Sequence, residues 1–270
     1  MKIVVLAKPV PDPAAAAERL GSDNRLDRSA APNVINGNDE YTLEAALQLV
    51  EAHGGEVTLV AMAPASGAET LRKGLAMGAT RGLLVTDPAL GGSDAWSTAR
   101  VLAAALKEVE FDLVLAGFDT SDGVGGVVSA AVATLLKLPY LSSAAKIEPN
   151  PDAGTVRVRR ISPTGFDVLE TTMPALIVGT QLLGTPRYPS LKGIMAARSK
   201  EVAQRAVADL GLSTEGGGSA GDGAVGGSAS RTTVTGKRTP PARAAAKVVR
   251  GAPADAAKEI VALLAERRLI

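Results

Sequence analysis

The sequence predicts an α/β protein with a doubly wound, mostly parallel sheet. Four short apolar runs, at residues 2–7, 56–62, 82–86 and 112–116, alternate with segments of helical periodicity. Continuous apolar runs of this length are typical of parallel strands that are covered on both faces. Strands that alternate with helices predict right-handed βαβ units, and hence a Rossmann-like fold. With 46% hydrophobic and 21% charged residues, the 270-residue chain can bury such a core.

Capping signals place the helices between these strands. Ser66 and Glu69 have the spacing of a capping box, in which each side chain bonds one amide at the start of a helix. Short polar residues in front of the other two helical segments predict the same kind of start. The candidate N-cap residues are Asn36 or Asn38 for the first helix, Ser66 for the second, and Ser93 or Asp94 for the third.

The pattern changes in the second half of the chain. Residues 155–161 and 166–172 flank a Pro-Thr-Gly turn and predict an antiparallel hairpin. Residues 174–180 predict one more strand, and residues 200–210 predict a helix. These elements complete a nucleotide-binding type of α/β domain over residues 1–212.

A glycine-rich segment separates this domain from the end of the chain. Residues 213–230 contain seven glycines and predict a flexible linker. Residues 231–270 carry nine Lys or Arg residues against three acidic ones, and residues 254–268 predict a helix. The apolar stripe of this helix must be buried against something, so the segment is predicted to be a docking arm.

Composition excludes several functional classes. The chain has no cysteine, which removes disulfides, thiolate metal sites and thiol nucleophiles. A single histidine, His53, leaves no imidazole cluster for a metal. Aromatic residues are 3% and the net charge is +1, so nucleic-acid binding is not expected. The longest apolar stretch, 124–136, is too short to insert across a membrane, and no targeting segment is visible; a cytoplasmic protein is expected.

The segment between the fourth strand and the next helix is a candidate anion site. Residues 117–126 hold four glycines and follow an apolar strand. A glycine-rich turn in this position presents backbone amides at the positive end of a helix dipole. The alternative is a loop whose glycines serve only backbone conformations with positive φ. The segment matches neither a Walker A motif nor G-x-G-x-x-G.

An apolar loop follows the last predicted strand. Residues 179–200 include Tyr188, Leu191, Ile194 and Met195, with prolines at 186 and 189. Exposed apolar residues at this density usually cover a partner surface.

These segments together resemble a known family. Pro174-Ala-Leu-Ile-Val, followed at 186–197 by Pro-Arg-Tyr-Pro-Ser-Leu-Lys-Gly-Ile-Met-Ala-Ala, is similar to the signature of the β subunit of electron transfer flavoproteins. Residues 36–46, 75–79 and 117–126 match the family in the same order, so the resemblance covers essentially the whole chain. Val127-Val-Ser129 departs from the family, which usually has a Gln-containing stretch there.

The resemblance implies an electron carrier subunit and no enzyme turnover of its own. It implies an adenine nucleotide alpha hydrolase-like fold and a heterodimer with an alpha subunit that holds, or shares, FAD. It also implies AMP in this chain. Electrons would come from flavin dehydrogenases, such as acyl-CoA dehydrogenases, and pass to the electron transfer flavoprotein–quinone oxidoreductase or another acceptor. The arm would dock on the alpha subunit.

The resemblance, with the doubly wound sheet, also assigns site residues. No catalytic residue and no metal ligand is expected. The nucleotide site is predicted to comprise Leu6, Ala7, Asn36, Gly37, Asn38, Asp39, Met62, Ala63, Gly117, Asp122, Gly123, Gly125, Gly126, Val127 and Val128. Partner recognition is predicted for Arg187, Tyr188, Leu191, Ile194 and Met195, with Leu191 inserted into a pocket of the dehydrogenase.

Two alternatives remain open at this point. The chain could belong to an electron-bifurcating flavoprotein with a second FAD in place of AMP. It could also be a stand-alone nucleotide-binding or stress-type α/β module. Residues 179–200 and the basic arm would have no role in that module.

Overall fold

A computed structural model describes residues 1–15, 19–29, 31–215, 224–238, 240–241, 246 and 248–270. The described chain forms two units, Met1–Thr235 and Gly236–Ile270. The strands are β1 Lys2–Leu6, β2 Pro9–Pro11, β3 Asn33–Ile35, β4 Glu56–Met62, β5 Arg81–Val85, β6 Leu113–Gly117, β7 Tyr140–Asn150, β8 Thr155–Ser162, β9 Gly165–Thr172, β10 Ala175–Gly179 and β11 Val202–Arg205. The helices are α1 Gly37–His53, α2 Gly67–Met77, α3 Ala95–Leu106, α4 Val128–Leu136, α5 Leu191–Ala197 and α6 Pro253–Glu266.

One sheet organises the first unit. Within the described residues it has nine strands in the order β11-β5-β4-β1-β6-β10-β7-β8-β9. The pairs from β11 to β7 are parallel, and the pairs β7–β8 and β8–β9 are antiparallel. From β1 the chain runs outward through β4 and β5 and then returns to β6 on the other side. The strand order therefore reverses between β1 and β6, and the predicted doubly wound α/β fold is confirmed.

Two cores cover the two faces of the sheet. Ile3 and Val5 of β1 pack in one cluster with Leu43 of α1 and Leu75 of α2. The alternate residues of β1 pack in the other cluster, with side chains of α3 and α4. Successive side chains of a strand point to opposite faces, so a strand that is apolar at every position needs helices on both sides.

Most predicted elements are confirmed, with small changes in their ends. The run at 56–62 is β4, and the hairpin is β8 with β9, which pair from Thr155↔Thr172 to Ser162↔Gly165. The helix predicted over 254–268 is α6, which begins with Pro253 at its first position. Strand β7, which joins the hairpin to the parallel part of the sheet, was not predicted. No helix within the described ranges is long and apolar enough to span a membrane.

The helix predicted over residues 200–210 is wrong. Val202–Arg205 forms strand β11, which pairs with β5 in parallel from Val202↔Gly82 to Arg205↔Val85. A short 3-10 turn, Ala208–Leu210, follows it. The open edge of β5 offers unpaired backbone groups, and four residues that satisfy them gain more than a short exposed helix would.

Capping follows the prediction at only one of the three helices. Asp94 caps α3, since its carboxylate accepts the amide hydrogen of Ser97 at 2.8 Å. Ser66 makes no capping hydrogen bond, because its backbone is helical (φ −60°, ψ −20°) and not extended. The capping box is therefore wrong. Asn36 precedes α1, but its side chain makes no capping hydrogen bond and donates to the carbonyl of Asp119 in a distant loop.

Part of the predicted linker is packed within the first unit. Residues 216–223 lie outside the described residues, whereas Ala224 and Val225 are buried. The amide of Gly226 donates to Ser97 Oγ at 2.7 Å, and the amide of Arg231 donates to Asp94 at 2.8 Å. Residues 224–231 therefore lie on the start of α3.

Candidate functional site

The predicted nucleotide residues meet at the carboxyl edge of the sheet. Leu6 pairs with Val60 of β4 and with Ala116 of β6, so the ends of these three strands lie side by side. The start of α1 lies over β6, at the point where the strand order reverses. Ligands of open parallel sheets bind at this reversal point. The side chains of Leu6 and Ala7 belong to the core, so neither side chain is accessible to a ligand.

Asp39 joins the two central strands at this edge. One carboxylate oxygen accepts the amide hydrogen of Lys8 at 2.9 Å, and the other accepts that of Gly117 at 3.1 Å. Burial raises the pKa of Asp39 to about 7, although the hydrogen bonds from Lys8, Asn36 and Gly117 act in the opposite direction. The Asp39 side chain thus links the carboxyl end of β6 to the residues that follow β1.

Two asparagines attach the following loop to α1. Asn36 donates to the carbonyl of Asp119 at 2.8 Å and accepts the amide hydrogen of Ser121 at 3.1 Å. Asn38 donates to the Asp119 carboxylate at 2.6 Å. Both asparagines were expected in the site, and their role in the structure is to hold the backbone of residues 119–121.

Asp122 is the centre of an ion cluster that the sequence did not indicate. Its carboxylate accepts from Lys8 Nζ at 2.8 Å and from Arg28 Nε at 2.7 Å. Burial would raise the pKa of Asp122, but the two cations outweigh it and lower the pKa to about 2. Lys8 and Asp122 are 114 positions apart, so no local pattern could have linked them.

The glycines of the loop have different roles. A Cβ atom on Gly117 would lie 2.5 Å from Asp39 Oδ1, so this glycine permits close backbone packing. Gly126 has φ +61°, a left-handed conformation that favours glycine. At Gly125 the nearest atom to an added Cβ would be 3.9 Å away, in open space. The conformational reading is therefore confirmed for Gly126, and the anion-binding reading of the loop stays a prediction.

The start of α4 has no side-chain cap. Val127 precedes the helix and has no side-chain acceptor, so no side chain of the described structure caps the first turn. The first amides of a helix have no partner within the helix and attract negative charge. Gly123, Gly125, Gly126 and Val127 are exposed beside these amides, while Val128 packs on the core behind them. The geometry suits a phosphate bound by backbone amides.

The remaining expected residues lie around the same edge. Met62 ends β4 and Ala63 follows it, and both residues are partly buried. Gly37 begins α1 with nothing within 4 Å of its added Cβ.

The apolar residues predicted for partner recognition are exposed. Tyr188 is 95% exposed and Leu191 75%, with Ile194 and Met195 also on the surface. Residues 191–197 form helix α5 within the predicted loop, and Ser190 caps it by accepting the amide hydrogen of Gly193 at 3.0 Å. Leu191 is therefore held at the first position of a short helix.

Arg187 differs from these four residues. Its guanidinium bonds Glu44 and Glu51 of α1, so it faces its own domain. Sequence reasoning did not single out either glutamate. The two glutamates are two turns apart on α1 and share one face of it. No signal along the chain pairs them with residue 187.

Comparison with known proteins shows the family to which this fold belongs. The model of the electron transfer flavoprotein domain matches residues 23–210. The chain is 38% identical over 219 residues to the electron transfer flavoprotein subunit beta of Mycobacterium tuberculosis, covering 79% of this chain and 82% of that protein. It is 35% identical over 243 residues to the subunit beta of Bacillus subtilis, covering 89% of each. It is 34% identical, across all of both chains, to the caffeyl-CoA reductase-Etf complex subunit CarD of Acetobacterium woodii.

The fold and the site define a class of protein: an open, doubly wound α/β sheet with a glycine-rich loop at the point where its strand order reverses. Within this class, the chain belongs to the electron transfer flavoprotein family, in its beta-subunit type. The family resemblance stated from the sequence is confirmed.

Proposed function

We propose that this chain is the beta subunit of a heterodimeric electron transfer flavoprotein. It would accept electrons from flavin dehydrogenases through FAD held mainly by an alpha subunit, and pass them to a quinone oxidoreductase or another acceptor. The observation that carries the proposal is the match to beta subunits over most of both chains. The chain would act as a carrier without substrate turnover of its own.

AMP is the nucleotide that we propose for the carboxyl edge of the sheet. The first amides of α4 and the exposed glycines 123, 125 and 126 would bind the phosphate. Asn36, Asn38 and Asp39 would keep that loop in place through the bonds they make to residues 117–121. AMP would then hold the edge of the sheet together, with no part in electron transfer.

A second FAD in place of AMP is the alternative. The full-length similarity to CarD, a subunit of a caffeyl-CoA reductase-Etf complex, is the observation that favours it. The same amides would then bind a diphosphate. The mass of the nucleotide released from the purified protein distinguishes the two ligands.

Residues 179–200, the recognition segment, are proposed to contact the dehydrogenase. Leu191 projects from the start of α5 and would insert into an apolar pocket of the partner. Tyr188, Ile194 and Met195 would surround it. Proline at 186 and 189 limits the conformations that the segment loses on binding.

The second unit is proposed to dock on the alpha subunit. Ile260 and Val261 of α6 are 48% and 54% exposed, and a helix with an apolar face is stabilised by burying that face. The basic residues of 231–270 would direct the arm to an acidic surface. Deletion of residues 236–270 should weaken the heterodimer and leave the first unit folded.

Expression of this chain alone and together with an electron transfer flavoprotein alpha subunit tests the proposal. We expect the single chain to be colourless and to release AMP on denaturation. The co-expressed pair should show the visible spectrum of bound FAD and should be reduced by an acyl-CoA dehydrogenase with its substrate. Stoichiometric FAD on the single chain, or no complex with the alpha subunit, would contradict it.

A further inference from the structure

Arg187 connects the recognition segment to α1 through hydrogen bonds and ion pairs. The backbone amide of Arg187 donates to Glu44 Oε2 at 3.1 Å, and its Nε donates to the same oxygen at 2.8 Å. Its Nη2 donates to Glu44 Oε1 at 2.9 Å, so both carboxylate oxygens are bonded. This paired geometry fixes both the position and the orientation of the guanidinium.

Glu44 is buried and depends on this contact. Its side chain is 5% exposed, against 57% for Glu51, which bonds the outer edge of the same guanidinium. Gln48, one turn later on α1, donates to Glu44 Oε1 at 2.8 Å and holds it from the other side. A buried carboxylate costs free energy unless it is paired. Release of Arg187 would leave the Glu44 carboxylate without its cation, so this contact favours the position in which the segment is seen.

The contact lies close to the residues that face the partner. Three residues lie between Arg187 and Leu191, and they include Pro189 and the helix cap Ser190. The far end of α5 is also held, because Arg72 of α2 donates to the carbonyl of Ala197 at 2.9 Å. The exposed side chains of α5 are thus presented between two fixed points on the core.

We infer that Glu44 is a positioning residue for partner recognition: through Arg187 it holds α5 so that Leu191 meets the dehydrogenase in one orientation. This inference rests on the proposed function of the recognition segment. Arg187 then acts from within its own domain and does not bind the partner. Holding the segment before binding lowers the ordering cost of the encounter, so its effect belongs to KM and not to kcat.

The test uses the complete heterodimer and the variant Glu44→Gln. An amide keeps the size of the side chain but turns one acceptor into a donor that opposes the guanidinium. Hydrogen exchange of residues 186–198 should rise about tenfold, with exchange in β1 and β6 unchanged. The KM of a reduced acyl-CoA dehydrogenase for the heterodimer should rise about tenfold, with kcat and FAD content within about twofold.

Three further variants sharpen the result. Glu69→Gln removes an exposed carboxylate from α2 and should leave both readouts unchanged. Arg187→Lys keeps the charge but cannot bond both oxygens of Glu44, so it should give the same two results as Glu44→Gln. If Glu44→Gln does not fold, Arg187→Lys takes its place in the test. In a Leu191→Ala background, Glu44→Gln should add less than about twofold to KM, because the residue that it positions is gone.

Each outcome has one meaning. Unchanged exchange at 186–198 in the Glu44 and Arg187 variants overturns the positioning role. The positioning role is also overturned if the Glu44 and Arg187 variants show increased exchange but an unchanged KM, while Leu191→Ala raises KM. If neither Leu191→Ala nor Glu44→Gln alters KM, the proposed function of the recognition segment itself is wrong, whatever the exchange data show.

Discussion

The carboxylate of Asp39 accepts the amide hydrogen of Gly117, although 78 positions separate the two residues along the chain. Asp39 lies in the first turn of α1 and Gly117 ends β6, and a side chain on Gly117 would collide with the carboxylate. The other Asp39 oxygen bonds Lys8, just after β1. A single buried side chain thus joins the two strands between which a ligand would bind, and its ionisation should affect the stability of the domain.

Asp39→Asn should remove a pH dependence from the stability. Burial raises the pKa of Asp39 to about 7 in the folded chain, so the folded state keeps a proton that the unfolded state releases above about pH 4. The free energy of unfolding therefore falls as pH rises from about 4 to 7, by up to about 1.4 kcal/mol per pH unit from this group. Urea unfolding between pH 4.5 and 7.5 should show the variant losing less stability than the parent. Parallel curves would refute this; Asp152→Asn, in an exposed turn, is the control.

Gly125→Val should abolish nucleotide retention without unfolding the protein. An added side chain at this position meets open space in the chain itself, and it would block access to the amides at the start of α4. We expect at least a tenfold loss of nucleotide, measured by chromatography after denaturation, with the thermal midpoint within a few degrees. Gly236→Val, also in open space but in the second unit, should retain nucleotide at the parent level. Normal retention by Gly125→Val would place the phosphate elsewhere.

Truncation after Thr235 and truncation after Leu212 should differ in stability. The longer product keeps Val225, which is fully buried, and the bonds of Gly226 and Arg231 to α3. The shorter product exposes that surface and should lose about 2–4 kcal/mol of unfolding free energy, since burial of one valine contributes about 1.5–3 kcal/mol. Val225→Ala in the full chain should cost about 2 kcal/mol. Equal denaturation midpoints for the two truncations would show that residues 224–231 contribute nothing.

Leu191→Ala should weaken dehydrogenase recognition and spare the fold. The side chain is 75% exposed, so its loss should change the free energy of unfolding by less than about 0.5 kcal/mol. Burying it in a partner pocket would contribute about 1.5–3 kcal/mol, which is roughly a tenfold to hundredfold change in affinity. Electron transfer from the dehydrogenase at varied heterodimer concentration measures this. The matched control is Val168→Ala, which truncates an exposed apolar side chain on β9. If Leu191→Ala loses thermal stability but keeps a normal rate of electron transfer, Leu191 is a packing residue.

Elements with a clear local pattern, either a continuous apolar run or two strand-like segments around a turn, could be predicted from the sequence. Strand β4 has the predicted ends, and the hairpin β8–β9 differs by one residue, because local composition and turn residues determine such segments. The glycine-rich loop and its place after β6 were equally visible. Parallel strands align their carboxyl ends, so the location of the candidate nucleotide site followed from the order of elements alone.

Contacts between distant residues were decided by the tertiary structure. Val202–Arg205 is a strand because β5 leaves an edge open beside it, and Val225 is buried because α3 offers a site for it, although both segments read otherwise in isolation. Arg187 faces Glu44, and Lys8 faces Asp122, across 143 and 114 positions of the chain. Periodicity reports which face of an element is apolar. It does not report which polar side chains meet, because that depends on how separate elements pack.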